Sequence, residues 1–548
     1  MNKHANFTVL GKPFFSIGGQ THNSSSYPTA EGMDRSFESV QRLGGNTIAT
    51  PVCWDAFEPQ EGSFDVSYVH GIIDGARSYN LHLVILWFGT WKNGTMEYTP
   101  AWVKTDKARF PRTMCKDGTA TSVLSAHAES NLQQDKNAFC KLMEVIKAYD
   151  EKIGTVIAVQ VENEPGILGA TRIDFGSDGR RDFASQVPGA LITAAKEHGG
   201  SPLGRQWAAA GKKEKGSWAE VFGAFGAEAC TAWFLAKYID AIARAGKEIY
   251  DLFLYTNVWL GSGPQSKWDL GGLEYPCGGA VEKTLEIWYA ASESLDAIAP
   301  DIYLQDPTEL IRMHKLYANP DRGWPLHVPE SHAAPLNAGL MFNGIGNHAA
   351  IGYHIFAVES VLQDGELTPN GQIMQRSMSM LSNASPLILK HNQDGKMHTL
   401  FQQTGQTSGF LQLAGNRKCW ISYRPEDSIN TGWLASDYRH RHSQLEQAVR
   451  SIDQESGRGL LFQTSDNEFY LVGHKLRLFF NHNEPEDGSI PASWLNPLHQ
   501  SHAMEMLILE EGHFEGEEFV SDRRRSGDEA RHGIWAQADC GVIHFILN

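Results

Sequence analysis

Along the first two thirds of the chain, short apolar, β-branched or aromatic runs alternate with longer stretches of helical character. That is the pattern of βα units around a parallel sheet. Eight runs read as strands: Pro13–Gly18, Asn46–Val52, His82–Phe88, Thr155–Val161, Leu252–Val258, Ile298–Tyr303, Pro325–Glu330 and Ala350–Ala357. Each is short and nearly continuously apolar, as strands covered on both faces are. Between them the pattern predicts helices over Met33–Leu43, Val66–Tyr79, Leu132–Tyr149, Cys230–Tyr250, Val281–Leu295 and Pro307–Tyr317. In the third of these Phe139, Leu142, Met143 and Ile146 form one stripe at spacings of three and four. Eight strands with crossovers point to a closed (β/α)8 TIM barrel, an α/β fold, within residues 1–392. Two long segments, Trp87–Asn131 and Glu164–Ala229, follow strands and so fall on the carboxyl-end face, where such barrels carry their sites.

After a helix near Gln372–Leu389 the pattern changes. Phe410–Leu413, Lys418–Tyr423, Glu468–Val472, Lys475–Phe480, Met504–Leu509 and Val542–Leu547 are short strand-like runs separated by Gly, Asn and Asp. Residues 393–548 therefore read as an appended C-terminal all-β, accessory domain. The arginine run Asp522–Arg525 is read as a solvated loop.

Composition narrows the partners. The 548 residues carry 64 acidic against 47 basic side chains, net −17, which repels phosphate backbones and anionic lipid. No nucleic-acid or membrane partner is expected, and a neutral glycoside or oligosaccharide suits the charge; homo-oligomerisation stays open. Seven scattered cysteines without a CxxC pair suit free thiols in a reducing compartment. Met1–Leu10 lacks the apolar core of a signal peptide, so a cytoplasmic location is expected.

The candidate chemistry sits at strand ends. In VQVENEPG two carboxylates leave a buried strand, and Pro165 and Gly166 stop it so that Asn163 and Glu164 lie at the rim. Three strands further round, Glu330 ends Leu326–Glu330. The ends of strands four and seven face each other across a closed barrel, so the two glutamates can converge on one bond, as glycoside hydrolysis by a carboxyl pair requires. Tyr303 is placed to donate to Glu330, and Asn163 to a sugar hydroxyl. Trp54 and Phe57 after strand two, Trp87 and Trp91 after strand three and Trp259 after strand five are candidates for stacking on the apolar faces of a sugar.

These residues resemble the clan A of retaining glycosidases, in which Asn-Glu ends strand four and a glutamate ends strand seven. GGNTIATPVCWDAFEPQEGSFD, LWFGTWKNG followed by PAWV, and IAVQVENEPG are similar to stretches of β-galactosidases of glycoside hydrolase families 35 and 42, over about residues 10 to 390. The resemblance implies Glu164 as acid/base, Glu330 as nucleophile and Asn163 on the sugar 2-hydroxyl, with no cofactor and no metal. This chain departs from it at Pro165, where family 35 usually has Tyr; at Thr90, where a galactose-binding Glu stands; and at Phe57, in place of His. These departures bear on the sugar: β-galactoside comes first, with β-glucoside, β-xyloside and α-L-arabinopyranoside as alternatives.

A non-catalytic carbohydrate-binding protein is the competing class, and it would not need a carboxylate pair. A metal-dependent hydrolase would want HExxH or HxH at a strand end, and neither occurs; His440 and His442 lie in an arginine-rich stretch that makes a poor metal site. Walker, GxGxxG and GxSxG patterns are also absent where nucleotide or serine chemistry would need them.

Overall fold

The computed structural model describes residues 7–27, 32–262, 269–392, 394–423, 455–480, 505–531 and 533–548. Its first sheet is a parallel ring of eight strands: β1 (Ser16–Gln20), β2 (Thr47–Cys53), β3 (His82–Lys92), β4 (Val156–Asn163), β5 (Phe253–Trp259), β6 (Ala297–Ile302), β7 in two pieces (His327–Val328 and Glu330–Ser331) and β8 (Gly352–Ile355). The pieces of β7 meet at Pro329, which has no N–H to give to a ladder. The first piece pairs with β8, and the second pairs with β6 with Glu330 opposite Asp301. Pairing of β8 with β1 closes the barrel.

A helix follows every strand: α1 (Met33–Arg42), α2 (Val66–Ser78), α3 (Glu129–Asp150), α4 (Gly226–Ile249), α5 (Leu285–Ala291), α6 (Pro307–Tyr317), α7 (Pro335–His348) and α8 (Pro369–Asn383). Several starts are legible as caps. The Asp65 carboxylate accepts from the Tyr68 N–H, and Asp306 accepts from Thr308 and Glu309 ahead of Pro307. The sequence pattern misses α7, for a physical reason. Leu340, Met341, Phe342 and Ile345 are all buried, and an added Cβ at Gly339 or Gly346 would strike Phe401 or Thr399 of the following β region. The helix is wedged between barrel and β region, so it has no polar face to set a period.

The C-terminal part is all antiparallel. Its strands are β9 (Met397–Phe401), β10 (Ser408–Gln412), β11 (Lys418–Ser422), β12 (Arg458–Gln463), β13 (Glu468–His474), β14 (Leu476–Phe480), β15 (Met506–Glu515), β16 (Glu518–Arg524), β17 (Ile534–Ala536) and β18 (Val542–Leu547). They form sheets in the orders β9-β12-β13-β18-β15-β16 and β10-β11-β14-β17, and a core including Leu461, Leu471, Leu478 and Phe545 packs in this region. Buried Arg458 ties this region to α8, donating to the Ser377 hydroxyl, the Ile373 carbonyl and Glu455. The arginine run is not the solvated loop expected: Arg523 and Arg524 end β16, while Arg525 is buried, paired with Glu511 and stacked on Trp535. Burial is sustained here because the guanidinium has both a counter-charge and an aromatic face. His440 and His442 lie outside the described residues.

No helix among the described residues is long and apolar enough to cross a membrane.

Candidate active site

A cavity of about 720 Å3 opens at the carboxyl ends of the barrel strands. Glu164, Glu330, Tyr303 and Trp259 line it, as do Asp301, Lys92, His22 and His332. A neighbouring cavity of about 340 Å3 shares Asn23, Lys92 and Asn93 with it.

The carboxylate of Glu330 is ringed by donors. The Tyr303 hydroxyl donates to Oε2 at 2.7 Å and Gln20 Nε2 to Oε1 at 2.8 Å; the amides of Asn163 and Asn257 approach Oε1 at 3.4 Å. Charge-assisted bonds of this kind suit an anion in a buried place. Glu164 has the opposite surroundings. Burial, and then the charge of Glu330, push its carboxyl up to about 7, against the smaller opposing effects of the Lys92 ammonium and a hydrogen bond with Asp301. Two groups of the same chemistry thus sit in surroundings of opposite kind, one ringed by donors and the other buried beside a like charge.

The backbone at the end of β4 is unusual. Glu162 and Glu164 both have positive φ, 64° and 45°, on either side of Asn163. The turn sends Glu162 away from the cavity, where it accepts from the N–H groups of Thr90 and Trp91 and faces buried Asp135. Glu164 is sent into the cavity, its N–H held by Asn257 Oδ1 at 2.8 Å. Asn257 is thus bonded to three acidic residues, since its Nδ2 also donates to Asp301 Oδ2 at 2.7 Å and approaches Glu330.

The structure brings Glu164, Glu330, Tyr303 and Trp259 to one cavity; Asn163 lies just beneath it, fully buried between Lys92 Nζ, which donates to its Oδ1 at 2.8 Å, and Glu330. Trp54 and Trp91 are elsewhere. Trp54 is fully buried in the short helix Trp54–Phe57, its indole N–H on Glu58, and Trp91 packs edge-on against Tyr238. Phe57 and Trp87 are core residues too. The reason lies in β3, which runs on to Lys92 and shifts register against β4 between Trp87 and Lys92, so that Lys92 rather than Trp91 reaches the cavity. Thr90, at the position where the resemblance has a glutamate, is buried with its hydroxyl on Asp135 at 2.5 Å.

Gln20, Lys92, Asn257 and Asp301 escape the reading of the sequence. All four are polar residues at or near the ends of otherwise apolar strands, which is the signal that singles out Glu164.

Comparison with solved structures gives similarity of low identity. A β-galactosidase from the Antarctic haloarchaeon Halorubrum lacusprofundi is 15% identical with a TM-score of 0.43, covering 69% of this chain and 62% of that one. A β-galactosidase from Rahnella sp. R3 is 15% identical with a TM-score of 0.47, covering 70% and 58%. The catalytic domain of a β-amylase from Paenibacillus polymyxa is 14% identical with a TM-score of 0.44, covering 66% and 98%. This chain therefore spans about 60% of the length of the two β-galactosidases. No curated protein matches it in sequence. Residues 374–537 match a domain of unknown function, DUF5597. Residues 6–200, which hold β1 to β4 and the Asn163–Glu164 pair, match the glycosyl hydrolases of family 35, and it is this family that the chain resembles.

Proposed function

We propose that the chain is a retaining, exo-acting glycoside hydrolase that removes terminal β-galactosyl residues. One observation carries the reading: Glu164 and Glu330 line the same cavity, one in surroundings that keep its proton and the other amid four donors. In the first step Glu330 attacks the anomeric carbon, the glycosidic C–O bond breaks, and the leaving oxygen takes the proton of Glu164. In the second, water attacks the same carbon, Glu164 takes its proton, and the sugar leaves Glu330. Asn163 and Tyr303 hold Glu330 in place, and Trp259 offers a half-exposed aromatic face to the sugar. Galactose is the sugar to which the family 35 resemblance points. Residues 1–392 are the catalytic unit and 393–548 an accessory one. All seven cysteines are free, which supports a cytoplasmic location.

The test is a panel of nitrophenyl glycosides differing only in the sugar, with the first-formed anomer read by proton NMR. The β-galactoside is cleaved at least about tenfold faster than the others, a preference worth about 1.4 kcal/mol in the transition state, and the product appears first as the β-anomer. Binding of galactosides without turnover of any member would overturn the proposal in favour of a carbohydrate-binding protein.

A further inference from the structure

A third carboxyl group belongs to this site. Asp301 lies on β6 directly opposite Glu330, is almost completely buried, and lines the same cavity. Its Oδ2 accepts from Asn257 Nδ2 at 2.7 Å, while its Oδ1 has no donor from the protein although it is wholly shielded. A buried anion with one oxygen left bare is costly. Two of the groups that face Asp301 make it costlier, Glu330 from β7 and Glu164 from the end of β4, with Lys92 of β3 the cation opposing them; the hydroxyls of Tyr255, Tyr303 and Tyr317, also near it, are neutral. Lys92 is itself engaged by Asn163.

We infer that Asp301 is a protonated positioning residue, whose Oδ1–H donates to the carboxylate of Glu164. The inference rests on Glu164 being the acid/base. Oδ1 is the oxygen left free to carry a proton, and burial together with both neighbouring glutamates drives Asp301 well above the ordinary carboxylate range. The bond has a use in each half of the cycle. After Glu164 has given up its proton, the Asp301 hydroxyl supports the resulting carboxylate and aims it at the incoming water. When Glu164 regains a proton, Asp301 still fixes its rotamer, and Asn257 fixes Asp301. The cluster then carries a single strong anion, Glu330, at the start of the reaction.

Two substitutions separate this arrangement from its alternatives. Asp301→Asn keeps a donor in the same place, and Asp301→Ala removes it. With the alkaline limb of kcat/KM as the readout, Asp301→Ala moves the limb upward by about one pH unit, the scale of one charge-assisted hydrogen bond. Asp301→Asn leaves it within about half a unit of wild type. If Asp301 were ionised, both variants would delete a negative charge beside Glu164 and the limb would move down in both, which overturns the inference. An unmoved limb in Asp301→Ala, with only a lower rate, makes Asp301 a packing residue and overturns it too. Infrared difference spectra at pH 7 between the wild type and Asp301→Asn provide a readout independent of turnover and of the alanine variant's folding: the protonated-carboxyl band of the wild type loses the intensity of one group in the variant. No loss between the two overturns the inference. If the wild type hydrolyses no glycoside but the loss is seen, the proposed function fails while the protonated Asp301 stands.

Discussion

Glu330→Gln lowers kcat for every glycoside, activated or not, by on the order of 10^4-fold or more, the scale seen when the atom that forms a covalent intermediate is removed. An amide is no nucleophile, so the loss does not depend on the leaving group. The side chain keeps its shape, but its NH2 now stands where one of the two oxygens accepted from Tyr303 or Gln20, and only the amide oxygen still accepts. Some stability is therefore lost as well, and a circular-dichroism melt measures that part separately. Azide added to Glu330→Gly restores cleavage and yields a glycosyl azide of inverted configuration, because the anion occupies the vacated face. Wild-type turnover in Glu330→Gln would remove the nucleophile assignment.

Glu164→Gln divides substrates by leaving group. Alkyl glycosides lose on the order of 10^2- to 10^4-fold, the usual contribution of general acid catalysis, while kcat/KM for a dinitrophenyl glycoside stays near wild type because that leaving group departs without a proton. Its kcat falls nonetheless, since the second step now lacks its base. The pH profile follows from the raised proton affinity of Glu164. The acid must be protonated, so kcat/KM of the wild type falls as pH rises through about 7. In Glu164→Gln this limb disappears. The same shift enters stability with a definite sign: a carboxyl whose folded value lies above its unfolded value of 4.5 stabilises the fold fully below that value, and the contribution is lost as pH rises toward about 7. Denaturant midpoints across pH 4 to 8 measure this as a decline that is smaller in the Gln variant.

The barrel was readable because its strands are covered on both faces and therefore look alike: all eight predicted runs overlap observed strands, and the Pro307–Tyr317 helix falls on its predicted residues. The two glutamates were readable because a carboxylate ending such a run has few structural uses. The stacking residues were harder. Sequence places Trp54 and Trp91 after strands, but Trp54 begins a helical turn and the register shift in β3 reverses the facing of the residues near Trp91. Neither event has a local signature. Asp301 was overshadowed by Tyr303 two residues on, and its role depends on Glu164 and Glu330 arriving from distant parts of the chain. The arginine run misled for a related reason: the counter-charge of Arg525 is supplied by Glu511 on a neighbouring strand.

The two left-handed residues at the end of β4 carry a conflict between activity and endurance. Each side chain there is asked to occupy a conformation that costs an L-residue about 1–2 kcal/mol, and only a glycine would sit at ease. At position 164 glycine, which relaxes the main chain, is also a residue that cannot hold a proton. With Glu164 as the proposed acid/base, the proton donor is kept at the expense of some of the robustness the framework would otherwise reach.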